Sequence, residues 1–135
     1  MAFRIRSVIG CAALSAALLP GCVHSAGPDP AAVREAIAMA AARVRSCYRS
    51  PRVPFEARQI VTRLRVRYAP DGQPAALPVI VSQGSVTAGN RAYADEMAQA
   101  AVSAVLRCGA MRLPPELHAG GWDDFDLTFS PGAVA

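Results

Sequence analysis

Between Gly89 and Pro131 the hydrophobic period of the chain switches from about 3.6 residues to 2 across a joint of prolines, and few architectures accommodate such a unit. Tyr93, Met97, Ala101, Val105 and Cys108 recur at helical spacing. They predict one apolar stripe on a helix that starts near Asn90, a capping residue, and ends at Cys108. Gly109 follows where a left-handed terminal residue is wanted. Leu113-Pro114-Pro115 reads as a stiff connection, and Trp122 to Phe129 as a strand. Phe125, Leu127 and Phe129 take one face of that strand; Asp124, Asp126 and Thr128 take the other. A striped helix and a one-faced strand must bury their apolar sides against each other and against further layers.

The upstream residues supply those layers. Asp29-Pro30 opens a helix with a capping acid and a proline at the first helical position, where the missing N–H costs nothing. Val33, Ile37, Ala40 or Ala41, Val44 and Cys47 fall on one side of it, while Arg34, Glu35, Arg43 and Arg45 mostly face away. Two prolines within Ser50-Pro51-Arg52-Val53-Pro54 end the helical pattern. Ile60, Thr62, Leu64, Val66 and Tyr68 then alternate with Val61, Arg63, Arg65 and Arg67, which predicts a half-buried strand with one basic face. Ala69-Pro70-Asp71-Gly72 is a turn. A second strand from about Ala75 to Ser82 would pair as a hairpin, with Leu77, Val79 and Val81 inward. Pro78, which cannot donate to a ladder, assigns that strand to an edge. The expected fold is α+β in the order α-β-β-α-β, a three-stranded antiparallel sheet with two helices packed on one face.

The N-terminus carries a different signal. Arg4 and Arg6 precede an apolar run from Val8 to Leu19, too short for a bilayer span and of the length of a secretory signal peptide. Leu19-Pro20-Gly21-Cys22 resembles a lipobox, in which the acylated Cys22 becomes the new N-terminus. Val23-His24-Ser25 offers ordinary cleavage before Ala26 as the alternative. The expected organisation is a signal peptide over residues 1–21, a tether over 22–29 and one domain over 30–132. Val23 stands where an Asp would retain a lipoprotein in the inner membrane, so the expectation is the periplasmic side of the outer membrane, held by the lipid anchor. Without that anchor the domain is soluble in the periplasm.

Loss of the signal leaves 12 arginines against 10 acids, so the formal net charge falls from +4 to +2 and the case for nucleic acid weakens. The chain contains no lysine, which excludes a Schiff base. With Cys11 discarded and Cys22 acylated, Cys47 and Cys108 remain, and an oxidising compartment favours one disulfide over two buried thiols. His118 has no second histidine or thiol pair beside it and reads as a surface-loop residue. Trp122 covers the start of its strand. There is no Gly-x-Ser-x-Gly, Cys-x-x-Cys or glycine-rich phosphate loop. Catalytic residues, metal ligands, cofactors and a small-molecule substrate are therefore not expected.

Four runs together resemble a known family: Ala92-Tyr93-Ala94-Asp95-Glu96, Val105-Leu106-Arg107-Cys108-Gly109, Leu113-Pro114-Pro115-Glu116, and Trp122 through Pro131. Their order and spacing are similar to the C-terminal periplasmic domain of TolA, within the broader TonB C-terminal group, over about residues 30 to 132. The resemblance implies a binding domain for periplasmic or outer-membrane proteins, Tol or Ton components among them, that accepts a partner's strand at a sheet edge. Those transducers carry a transmembrane helix and a spacer; an export signal stands in their place here, so the expectation is partner binding, and force transmission is left open. The outward row Arg63, Arg65, Arg67 with Asp124, Asp126 and Thr128, and the edge of the last strand, are the expected partner-binding residues. Mixed surface charge, with Asp123, Asp124 and Asp126 as gatekeepers against self-pairing, is the plainer reading of the same residues. A small periplasmic lipoprotein acting as an enzyme inhibitor or a minor enzyme is the alternative function.

Overall fold

The computed structural model describes residues 27–130 and the backbone of Ala133 and Val134. The expected signal peptide, the lipobox-like run and Cys22 lie outside the described residues. Helix α1 spans Pro30–Cys47. Asp29 caps it as expected, its Oδ1 accepting the Ala31 N–H at 2.9 Å with Pro30 in the first turn. Strands β1 (Val61–Arg67) and β2 (Val79–Gly84), helices α2 (Ala94–Cys108) and α3 (Pro115–Ala119), and strand β3 (Asp124–Ser130) follow. β1 sits between β2 and β3, antiparallel to both, and a two-residue strand β4 (Ala133–Val134) extends the sheet beyond β3.

The core lies between the helices and the inward faces of β1 and β3. Leu64, Val66 and Tyr68 from β1 and its end meet Phe125, Leu127 and Phe129 from β3. Ala36, Ala40, Ala41 and Val44 of α1 and Ala101, Ala104 and Val105 of α2 close over them. Alanine on both helices keeps the side chains between the two axes small, which permits close approach. Tyr68 tilts against Phe125 at 5.9 Å between ring centroids, and Tyr48 against Phe129 at 5.5 Å. Cys47 and Cys108, at the C-terminal ends of α1 and α2, form a disulfide with Cα atoms 6.0 Å apart.

Several local expectations are corrected by the surroundings. β2 begins later than its composition indicates, and Leu77, Val79 and Val81 do not face inward: all three are exposed. A bulge explains the change. Leu64 pairs with Ile80 but Arg63 with Ser82, so Val81 is an extra residue and the alternation skips a beat. The inward positions of β2 become Ile80 and Gln83, opposite Leu64 and Thr62; Val79 and Ser82 share the outward face with Arg65 and Arg63.

Asn90 does not cap α2. It is buried, and its side chain ties two loops together: Oδ1 accepts the Thr87 N–H at 2.7 Å, and Nδ2 donates to the Glu56 and Ser85 carbonyls, each at 2.9 Å. A 3-10 turn over Arg91–Tyr93 leads into α2 instead. Gly109 has φ of −76° and is not left-handed. Its place there is steric, because an added Cβ would fall on the Val105 carbonyl and 2.9 Å from Val105 Cγ1. The proline joint folds into α3, with Pro115 in the first turn and Leu117 fully buried, so His118 is helical rather than in a loop.

The turn after β1 has the expected chemistry. Gly72 N–H donates to Ala69 O at 2.9 Å, and Asp71 Oδ1 accepts the Gln73 N–H at 2.9 Å. Gly72 is left-handed, with φ of +87°, and lies so close to the α2–α3 connection that a Cβ would be 2.8 Å from Arg112 N.

Candidate functional site: the outer sheet face and the β2 edge

The face of the sheet away from the helices carries the charged residues that the alternation places there. In the β1–β3 ladder Arg63 faces Thr128, Arg65 faces Asp126 and Arg67 faces Asp124. Arg65 grips Asp126 with two hydrogen bonds, Nε to Oδ1 at 2.9 Å and Nη2 to Oδ2 at 3.3 Å, and reaches Asp124 at 3.5 Å. The Asp126 hydrogen bond and charge push the Arg65 pKa up. Arg67 meets Asp124 at 3.6 Å and Arg63 meets Asp126 at 3.8 Å, both too far for hydrogen bonds. The structure thus brings together all six outward residues singled out in the sequence, as a solvated ladder centred on Arg65. Exposed pairs of this kind are screened by water and contribute little to stability.

The edges of the sheet differ in character. β4 pairs with β3 at Phe129 and Ser130, so the last strand is an edge only over its earlier residues, which carry Asp124 and Asp126. β2 has β1 as its sole strand neighbour among the described residues. Leu77, Val79, Ile80 and Val81 stay 37 to 72% exposed along it, while the helices reach this strand at Gln83, whose amide donates to Thr62 Oγ1 at 3.2 Å and to the Ala94 carbonyl at 2.7 Å. From Gly72 to Asn90 there is no charged residue at all. An uncharged edge whose first half, Val79 to Val81, is apolar and exposed invites strand pairing.

Clefts flank this edge at both ends. On the outer face a groove of about 230 Å³ runs between Ala76, Leu77 and Val79 on one side and Arg65, Arg67 and Asp124 on the other. Past the end of β2 a cleft of about 460 Å³ is lined by Phe55, Gln59, Ser85 and Thr87, with the Phe55 ring largely exposed. Ser85 closes β2 at φ of +59°, a left-handed value held by the Asn90 hydrogen bond to its carbonyl. These residues escaped sequence reasoning. The uncharged stretch from 72 to 90 is the signal that marks those on and after β2; Phe55 and Gln59 lie outside it.

His118 lies 3.8 Å from Asp123 across the α3–β3 turn, its Nε2 buried and without a hydrogen-bond partner among the described residues. Among the described residues no group of three His, Cys, Asp or Glu side chains is placed to hold a metal ion. No helix of the described residues is long and apolar enough to cross a membrane. Compared with protein-family models, curated proteins and solved structures, the chain matches none of them.

Proposed function

We propose that this chain is a non-enzymatic, exported domain that binds cell-envelope proteins, in the manner that its resemblance to the TolA C-terminal domain implies, and that it receives an extended partner segment as an added strand. The N-terminal signal and Cys22 supply the export and the lipid anchor in this reading, with outer-membrane or periplasmic proteins, Tol or Ton components among them, as partners. One observation carries it: β2 is an exposed, apolar and uncharged sheet edge in a chain that is otherwise well supplied with arginine and carboxylate. An added strand would satisfy the free N–H and C=O groups of that edge and cover Ile80 and Val81. β2 is favoured over the last strand because β4 already takes part of the β3 edge and the remainder carries aspartates.

The test is a charge placed in the edge. Val81 is exposed, so Val81→Lys leaves folding within about 0.5 kcal/mol while opposing strand addition. Wild type, Val81→Lys and the α1 surface control Glu35→Lys are incubated with solubilised envelope fractions. The expected result is that wild type and the control retain the same envelope proteins and Val81→Lys loses them. Equal recovery by all three refutes strand addition at β2.

A further inference from the structure

The β2 edge offers affinity but no selectivity, because no residue from Gly72 to Asn90 is charged. Discrimination among extended segments must come from the row beside it, and there the charges do not balance. Three arginines on β1 face two aspartates on β3. Arg65 engages Asp126 through two hydrogen bonds, whereas Arg67 touches Asp124 only at 3.6 Å and its side chain is 65% exposed. Arg67 also lines the groove whose apolar side is Ala76, Leu77 and Val79.

We propose that the segment accepted by β2 is acidic: it carries an Asp or Glu side chain on its outward face that meets Arg67 over the apolar side of this groove. The inference rests on strand addition at β2. An added strand lies about 4.8 Å beyond β2 and so about 9.6 Å from β1, a gap that an extended arginine and a carboxylate side chain close between them. An apolar residue two positions from that carboxylate, on the same face of the added strand, packs on Leu77 and Val79. Asp124 competes with the incoming carboxylate for Arg67, so the structure holds a built-in opponent of binding whose removal has a defined sign.

The probe is a displayed library of eight-residue linear segments, selected on the purified protein and counter-selected on Val81→Lys. Recovered segments are expected to alternate apolar residues and to carry at least one carboxylate. For such a segment Arg67→Gln weakens binding by about fivefold, the scale of one exposed charge pair. Changing the segment's carboxylate to its amide weakens it equally, and the two changes together weaken it no further. Asp124→Asn tightens binding, and added salt weakens the wild-type complex more than the Arg67→Gln complex. Segments that depend on Val81 yet bind wild type and Arg67→Gln alike overturn the acidic specificity and leave strand addition standing. Recovery of no segment that distinguishes wild type from Val81→Lys overturns both.

Discussion

Removing the bond between Cys47 and Cys108 is expected to cost a substantial share of the stability of this domain. The two cysteines are 61 residues apart, and the loop they close contains β1, β2 and nearly all of α2. In the chain-entropy model a loop of that size restricts the unfolded ensemble by about 14 cal/mol/K, or about 4 kcal/mol at 25 °C. A domain of this size has about 5–15 kcal/mol to lose. The perturbation is Cys47→Ser with Cys108→Ser, made in a background where Cys11 and Cys22 are also serine so that no other thiol confuses the comparison. Urea unfolding followed by circular dichroism gives both midpoint and slope. The expected outcome is a lower midpoint together with a steeper slope, because the unlinked chain exposes more surface when it unfolds. Reductant should bring the protein that keeps Cys47 and Cys108 to the same curve. A stability loss under about 1 kcal/mol, or two reactive thiols in the denatured protein before reduction, refutes the account.

Three further outcomes test the packing. Asn90→Ala removes three hydrogen bonds from buried loop groups and should destabilise by about 2–3 kcal/mol, with faster amide exchange around Ser85 and Thr87. Gly72→Ala should cost about 2 kcal/mol or more by thermal melt, since its backbone is left-handed and an added Cβ meets the Arg112 backbone. Tyr68 has a buried hydroxyl with no hydrogen-bond partner among the described residues, so Tyr68→Phe should leave stability equal or raise it by up to about 2 kcal/mol. Burial pushes the Tyr68 pKa up, partly offset by the charge of Arg43. The folded state therefore keeps its proton where the unfolded chain has lost it, and stability should fall as pH rises above about 10. Urea midpoints from pH 9 to 11 should show a shallower decline in Tyr68→Phe than in wild type, the remaining slope coming in part from Tyr48, whose pKa burial also raises.

Much of this architecture is a local property and was readable in the residues. The period of 2 in Ile60 to Tyr68 and in Phe125 to Phe129 assigns both strands and both of their faces, because side chains alternate across a strand whatever its neighbours are. Asp29-Pro30 sets the start of α1 through its own cap. Cys47 and Cys108, each on the apolar stripe of a helix, form the bond that joins those helix ends. The outward arginine and aspartate rows follow from the same alternation, and the register needed only β1 beside β3 to make them a ladder.

The rest was decided by what lies beside each element. Whether β2 is buried depends on how far α1 and α2 reach across the sheet, and on a one-residue bulge that no composition encodes. Asn90 has the chemistry of a cap, but the Glu56 and Ser85 carbonyls are nearer customers for its amide once the chain is folded. Gly109 is demanded by the carbonyl of Val105 rather than by its own backbone angle. The sequence by itself determined α1, β1, α2 and β3, the faces of β1 and β3 and the charge ladder, since these are set by side-chain period and local capping. Only the tertiary structure decided which edge stays open, because exposure is a property of neighbours: β4 covers the end of the last strand, while β2 keeps one strand neighbour among the described residues and its apolar side chains stay exposed.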